Sequence, residues 1–275
     1  MTGEQKIARY YDRDVEGEWA RLDRHRTEFA ITTRALEEYL PSTGNGDRAC
    51  TVLDCGGGPG RYSLFLSERG YGVTLLDLSA ANLEFAQGKA DELSLKIDHY
   101  VHASATDLSM FCDAQFDAAL LMGPLYHLLQ EDDRKQCLAE ARRVLRPGGV
   151  IVATFICRYA ALRDLAKWVP ERLVGDRHVM RRLLNEGVVE LVEGAGFTDF
   201  FSAHPTEIAP MMQTAGFETM ALLAQEGLIS MIEDRVNRLD GAEWDEWVNL
   251  NYKCASDPSL HGGAEHLLYI GRRIE

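Results

Sequence analysis

Between residues 50 and 156 the chain switches repeatedly between short continuous apolar runs and longer stretches in which apolar residues recur every three or four positions. The short runs at 50–54, 73–77, 97–102, 116–122 and 150–156 predict strands buried on both faces, the stretches at 62–69, 79–93 and 132–145 predict helices between them, and Arg146-Pro147-Gly148-Gly149 predicts a turn before the fifth strand. Alternation of this kind predicts a mainly parallel sheet, because parallel neighbours need a crossover long enough to hold a helix.

The flanks follow other patterns. Over 4–40, Ala8, Val15, Trp19, Leu22, Phe29, Ile31 and Leu36 are spaced as interrupted amphipathic helices that end at Leu40-Pro41, with a polar, glycine-containing loop at 42–47. After residue 156 the rhythm breaks. Two basic helical patterns (158–168 and 176–184) precede a turn-rich segment carrying apolar runs at 188–192 and 197–201. Regularity returns with a helix over 206–215, a Gly216-Phe217 turn, a strand over 218–224, helices across 226–250 and a last strand over 267–272. These breaks predict a helical preface at 1–46, a core formed by 47–156 and 204–275, and an inserted cap at 157–203.

A chain of 275 residues with 46% apolar composition can bury one large core. Its 29 Lys plus Arg against 43 Asp plus Glu give a net charge of −14, a field of the wrong sign for a phosphate backbone. Arg142, Arg143 and Arg146 form the sharpest basic cluster and read as a solvated helix face. Nucleic acid is therefore not an expected partner. The six cysteines have no close pairing, which argues against a zinc site or a disulfide framework. With neither a basic-then-apolar leader nor an apolar run approaching about 20 residues, the expectation is a cytoplasmic protein with no membrane partner.

The strongest local signal is Val52-Leu53-Asp54-Cys55-Gly56-Gly57-Gly58-Pro59-Gly60, a strand that runs into glycines and then into a helix. Such a loop lets a ligand approach the backbone, and the helix start offers free N–H groups to a carboxylate or a phosphate. A nucleotide P-loop requires Lys then Ser or Thr where Arg61-Tyr62 stands, and a dinucleotide fingerprint starting at Gly56 requires glycine at position 61.

An acidic residue followed by alternate glycines, as in Asp54, Gly56, Gly58 and Gly60, resembles the first motif of the class I S-adenosylmethionine-dependent methyltransferases. Further matches are Leu75-Leu76-Asp77-Leu78 at the end of the second strand, Ala103-Ser104-Ala105-Thr106-Asp107-Leu108, Leu121-Met122-Gly123-Pro124-Leu125-Tyr126-His127-Leu128, and Arg143-Val144-Leu145-Arg146-Pro147-Gly148-Gly149. The resemblance covers roughly 50–156 and 204–273. It implies an α/β fold with a Rossmann-like, seven-stranded, mostly parallel sheet, helices on both faces, an N-terminal helical lid and a cap inserted after the fifth strand. It also implies S-adenosyl-L-methionine as cofactor and methyl transfer to an O or N atom of a small molecule or short peptide, by a monomer or homodimer.

By the same resemblance, Asp54, Gly56, Gly58 and Gly60 form the cofactor loop. Asp77 meets the ribose hydroxyls, with Leu78 beside it. Ser104, standing where the family usually has aspartate, and Ala105 meet the adenine edge, and Asp107 and Met122 join the cofactor site. Ser104 offers the adenine amine a weaker acceptor than a carboxylate. Tyr11 and Arg26, in an aromatic lid with Trp19, fall near the methionyl end and its carboxylate.

Methyl transfer from a sulfonium is a displacement that needs alignment and dryness more than obligatory side chains. Where a proton must leave the acceptor, His127 is the first candidate base, with Tyr126 as its neighbour. His127 also sits in the apolar run 125–129, where a packed, hydrogen-bonded histidine is the competing reading. His204 is a second, weaker candidate. In the cap, Arg158, Tyr159, Arg163, Trp168, Phe197, Phe200 and Phe201 suit an acceptor pocket or a dimer surface equally. No metal site is expected. Two other functions stay open: a non-catalytic S-adenosylmethionine-binding regulatory protein and an RNA methyltransferase.

Overall fold

Three helices precede the first strand in the computed structural model, which describes residues 3–43, 49–175, 177–190 and 198–275. The loop expected at 44–47, Asp176, the end of the run 188–192 and Phe197 lie outside the described residues. Helix α1 (Gly3–Asp12) buries no residue completely, α2 (Val15–Arg24) is capped by the Asp14 carboxylate accepting from Gly17 N, and α3 (Arg26–Tyr39) buries Ile31, Ala35 and Leu36.

The chain then runs β1 (Thr51–Cys55), α4 (Arg61–Glu68), β2 (Gly72–Asp77), α5 (Ala80–Leu93), β3 (His99–His102), β4 (Phe116–Leu121), the single turn α6 (Pro124–His127), α7 (Glu131–Val144) and β5 (Leu145–Cys157). Strands β1 to β5 are parallel in the order β3-β2-β1-β4-β5, with Asp54 facing Leu75 on one side and Leu120 on the other. Consecutive residues divide between the two faces, as alternation requires: Val52 and Leu120 pack in one apolar cluster, Leu53 and Leu121 in the other. The Arg-Pro-Gly-Gly segment expected as a turn at 146–149 instead lies inside β5. Its register against β4 slips between Phe116 and Ala118, and Gly148 takes φ +75° in the irregularity.

After β5 come α8 (Ala160–Trp168), a 3₁₀ turn (Pro170–Val174), α9 (Arg177–Glu186), β6 (Val188–Val189) and β7 (Phe200–Ala203). The short strand β7 runs parallel to the tip of β5, and β6 pairs with it antiparallel. Buried Arg158 staples this segment, donating to the carbonyls of Ser202 (2.9 Å) and Leu184 (3.3 Å) and to the Glu207 carboxylate (2.7 Å).

The chain closes through α10 (Pro205–Thr214), β8 (Phe217–Ala224), α11 (Glu233–Val236), α12 (Gly241–Cys254), α13 (Pro258–His261) and β9 (His266–Arg273). Strand β9 lies antiparallel between β5 and β8. The seven expected strands are thus present in an α/β sheet, and β6 and β7 raise the total to nine among the described residues. No helix among those residues is long and apolar enough to cross a membrane.

Candidate functional site

The loop after β1 sits at the carboxyl end of the parallel strands, where crevices open in sheets of this order. Gly58, at φ +56°, faces open space: a Cβ there would meet nothing closer than Asn82 Nδ2 at 3.9 Å, so the loop forms a cradle that a side chain would fill. Gly60, at φ +86°, lets α4 approach α5, since a Cβ would come within 2.9 Å of the Ala86 methyl.

Beside this cradle, Asp77 Oδ2 accepts from Gly58 N (2.8 Å), while Oδ1 accepts from Ser79 N (2.8 Å) and Asn82 Nδ2 (3.3 Å). Burial raises its pKa against the pull of these hydrogen bonds. Two carboxylate oxygens offer about four lone-pair positions, of which three are taken, so acceptor capacity remains on Oδ2 for a ribose hydroxyl.

One cavity gathers this cradle with the residues facing it. Its walls include Gly56, Gly58, Asp77 and Leu78 on one side, Ser104 and Ala105 at the end of β3, and Met122, Tyr126 and His127 after β4. Helices α1 and α2 cover it with Glu4, Ile7, Tyr11, Glu18, Arg21 and Leu22. The Tyr11 hydroxyl lies 2.7 Å from His127 Nε2, and Thr198 Oγ1 lies 3.1 Å from Nδ1. Burial pulls His127 down to a pKa of about 4, so its ring is neutral at pH 7, and burial pushes the Tyr11 and Tyr126 phenols up. The Tyr126 hydroxyl donates to the Met122 carbonyl at 3.2 Å.

Four expected site residues lie outside the cavity walls. Asp54 is buried behind the loop, where Ser63 Oγ donates to it at 2.7 Å and burial raises its pKa to about 6. Gly60 starts α4 one turn away. Asp107 is exposed and accepts from Ser109 N (3.0 Å) in a local turn, because the chain has already left the sheet edge at Ser104. Arg26 points to the opposite side of its helix junction, donating to the carbonyls of Asn237 (2.9 Å) and Leu239 (3.1 Å) and stacking over Trp244.

The cap residues stand apart from the cavity as well. Arg158, Tyr159, Arg163, Trp168, Phe200 and Phe201 do not line this cavity. Phe200 and Phe201 are core, and Trp168 is largely exposed. His204 caps α10, its Nδ1 accepting from Thr206 N, and Trp19 and Phe29 pack against Phe85 and Tyr62.

Arg21, Glu18 and Glu4 reach the cavity without having been anticipated. Arg21 forks onto Glu28 (2.6 and 3.0 Å) and donates from Nε to Glu18 (3.1 Å). Spacings of three and seven residues from Glu18 and Glu28 place both partners within reach of the Arg21 fork, a signal present in the sequence. Burial of Glu28 opposes its charge, but Arg21 and His266 outweigh it and hold its pKa at about 2. Glu28, Glu226 and His266 bring potential ligand atoms within 4.8 Å of one another, and their charges are matched within the network.

Residues 52–149 match a family described as "Methyltransferase domain". Residues 52–149 thus form a methyltransferase domain. The chain is 29% identical over 152 residues to the tRNA 5-carboxymethoxyuridine methyltransferase of Escherichia coli K12, covering 54% of each chain. The chain thus spans about half the length of that relative. It is 28% identical to a malonyl-[acyl-carrier protein] O-methyltransferase of Pseudescherichia vulneris, over 78% of this chain and 82% of the other. In fold, it is similar to a Burkholderia thailandensis 1,6-didemethyltoxoflavin N1-methyltransferase solved with S-adenosylhomocysteine. That match has TM-score 0.56 and 16% identity, and it covers all of this chain and 92% of the other. For the methyltransferase domain, the open glycine cradle and the spare acceptor capacity of Asp77 fit an adenosyl cofactor.

Proposed function

We propose that the protein transfers a methyl group from S-adenosylmethionine to an oxygen or nitrogen atom of a small molecule or short peptide. The observation that carries this reading is that one cavity joins the glycine loop and Asp77 to Tyr11, Tyr126 and His127. In this reading residues 1–46 act as lid, 47–156 and 204–275 as core, and 157–203 as cap. Asp77 accepts from a ribose hydroxyl, and Leu78 and Ala105 flank the base. Arg21 takes the place first given to Arg26 at the methionyl carboxylate: three of its five N–H groups are engaged and two are free to donate.

When bound, the cofactor supplies a methyl group on a positively charged sulfur. The chain's own task is then alignment and exclusion of water, served by Tyr11, Met122 and Leu128 at the covered end of the cavity. His127, at a pKa of about 4, is a weak base. Taking a proton from a group of pKa about 9 is uphill by roughly 7 kcal/mol. His127 and Tyr126 therefore orient the acceptor, and an already ionised oxygen such as a carboxylate suits this site better than a protonated nucleophile.

Calorimetry with S-adenosylmethionine and S-adenosylhomocysteine tests the reading directly. Both bind the wild-type protein, and Asp77→Asn weakens both by about 10-fold or more, the scale of a hydrogen bond to a charged group. Radiolabelled methyl transfer to carboxylates, amines, phenols, short peptides and transfer RNA then identifies the acceptor. Labelled small acceptors support the proposal, and labelled RNA would move it to the substrate class of the E. coli relative. Binding without transfer to any acceptor would favour the regulatory reading, and no binding would overturn the cofactor assignment.

A further inference from the structure

Two residues past the end of the third strand stands Ser104, whose side chain carries a hydroxyl where an adenine amine is best met by an anionic acceptor. That hydroxyl is already committed. It donates to Glu4 Oε1 at 2.5 Å, accepts from Thr106 N at 3.1 Å and pairs with Thr106 Oγ1 at 2.7 Å. Glu4 stands on α1, in the first turn of the covering helix, and lines the same cavity as Ser104 and Ala105. Only one of its oxygens is engaged among the described residues, by Ser104 and, at 3.5 Å, by Thr106 Oγ1. Its carboxylate is only partly exposed, and it brings a full negative charge to the wall that Ser104 leaves neutral.

We propose that Glu4 reads the 6-amino group of the adenine ring, so that the base recognised by the core is completed by the lid. The inference rests on the cofactor reading above. An exocyclic amine donates to a carboxylate in a charge-assisted hydrogen bond, whereas a 6-oxo purine sets a carbonyl against it and is repelled.

The position of Glu4 couples this recognition to closure. Helix α1 buries no residue completely, and a helix of its length is marginal without tertiary contacts. Polar contacts dock it to the rest of the chain: Glu4 to Ser104, Tyr11 to His127, Ser79 to Asp12, and an exposed ion pair between Lys6 and Asp199. An aminopurine adds a bond at the Glu4 end and tightens the helix. A base without the amine leaves that end frayed.

The test compares S-adenosylhomocysteine with its 6-oxo analogue, S-inosylhomocysteine, by calorimetry on the full chain, alongside limited trypsin cleavage at Lys6, Arg9 and Arg13. The wild-type protein is expected to favour the amino form about 10-fold to 100-fold and to gain protease protection from that form alone. Glu4→Ala should lose most of this preference by weakening the amino ligand and, with the repulsion gone, binding the oxo ligand at least as well as the wild-type protein does, and Ser104→Asp placed in the Glu4→Ala protein should restore it. Equal loss for both ligands, or unchanged discrimination in Glu4→Ala, would overturn the proposal and leave Glu4 as a packing residue. If the wild-type protein bound neither ligand, the cofactor reading itself would fail, an outcome distinct from binding without discrimination.

Discussion

Arg21 and Arg26 stand five residues apart on consecutive helices and have separate environments. Arg21 lies on the cavity side of α2, forked onto buried Glu28, while Arg26 holds the carbonyls of Asn237 and Leu239 at the end of α11. Arg21→Met should lower S-adenosylhomocysteine affinity about 10-fold or more, and by stranding buried Glu28 it should cost roughly 3 kcal/mol of stability. Arg26→Met should leave the affinity within about twofold and cost on the order of 1 kcal/mol, since it removes partly exposed hydrogen bonds. Calorimetry and urea unfolding of the two variants separate these roles, and equal affinities would remove Arg21 from the cofactor site. Asp77 and the glycines were legible in the sequence because their task is written in local order, a strand end followed by a loop. The choice of arginine was not, since it depends on which face of the α2–α3 junction packs inward.

At the scale of elements, the segment after β5 is held by burial of Leu183, Val188, Phe200 and Phe201 and by Arg158, which joins β5 to α9, β7 and α10. Arg158→Leu should destabilise the protein by about 2–3 kcal/mol, part of the usual cost of breaking a buried pair because Glu207 is half exposed. It should also open 158–190 to trypsin while leaving S-adenosylhomocysteine binding intact. Unfolding midpoints with peptide mapping of the cleavage sites check this, and an uncleaved segment of wild-type stability would refute the staple. Both helices of the segment were visible from their periodicity. Within the apolar run at 188–192, the described residues form a strand at Val188–Val189, which pairs with Phe201 and Phe200 of β7. The turn expected at 146–149 is absorbed into β5: proline and glycine punctuate a chain, but a long strand can take them up in a bulge where its neighbour is already in place.

Across the whole molecule, the buried charge network gives stability a direction with pH. Burial opposes the charged form of His266, but Glu28 and Glu226 outweigh it and raise its pKa to about 9, above the unfolded value near 6.5. The folded state then binds more protons than the unfolded state between these values. This contribution is complete below pH 6.5 and is lost as pH rises toward 9. Urea unfolding should show stability falling by about 2 kcal/mol between pH 6.5 and 8.5, and His266→Gln should flatten that limb. An equally steep limb in the variant would place its origin elsewhere. The parallel core was readable from strand and helix rhythm alone, whereas this network joins α3, the segment after β8 and β9, a meeting that no local pattern announces. The position of β9 carries a further consequence for synthesis. It follows both β5 and β8 in chain order yet pairs with each of them, so neither edge is covered until residues 266–273 emerge. The nascent chain must therefore hold two apolar strand edges open from their own synthesis until β9 arrives, the stage at which a chaperone has most to protect.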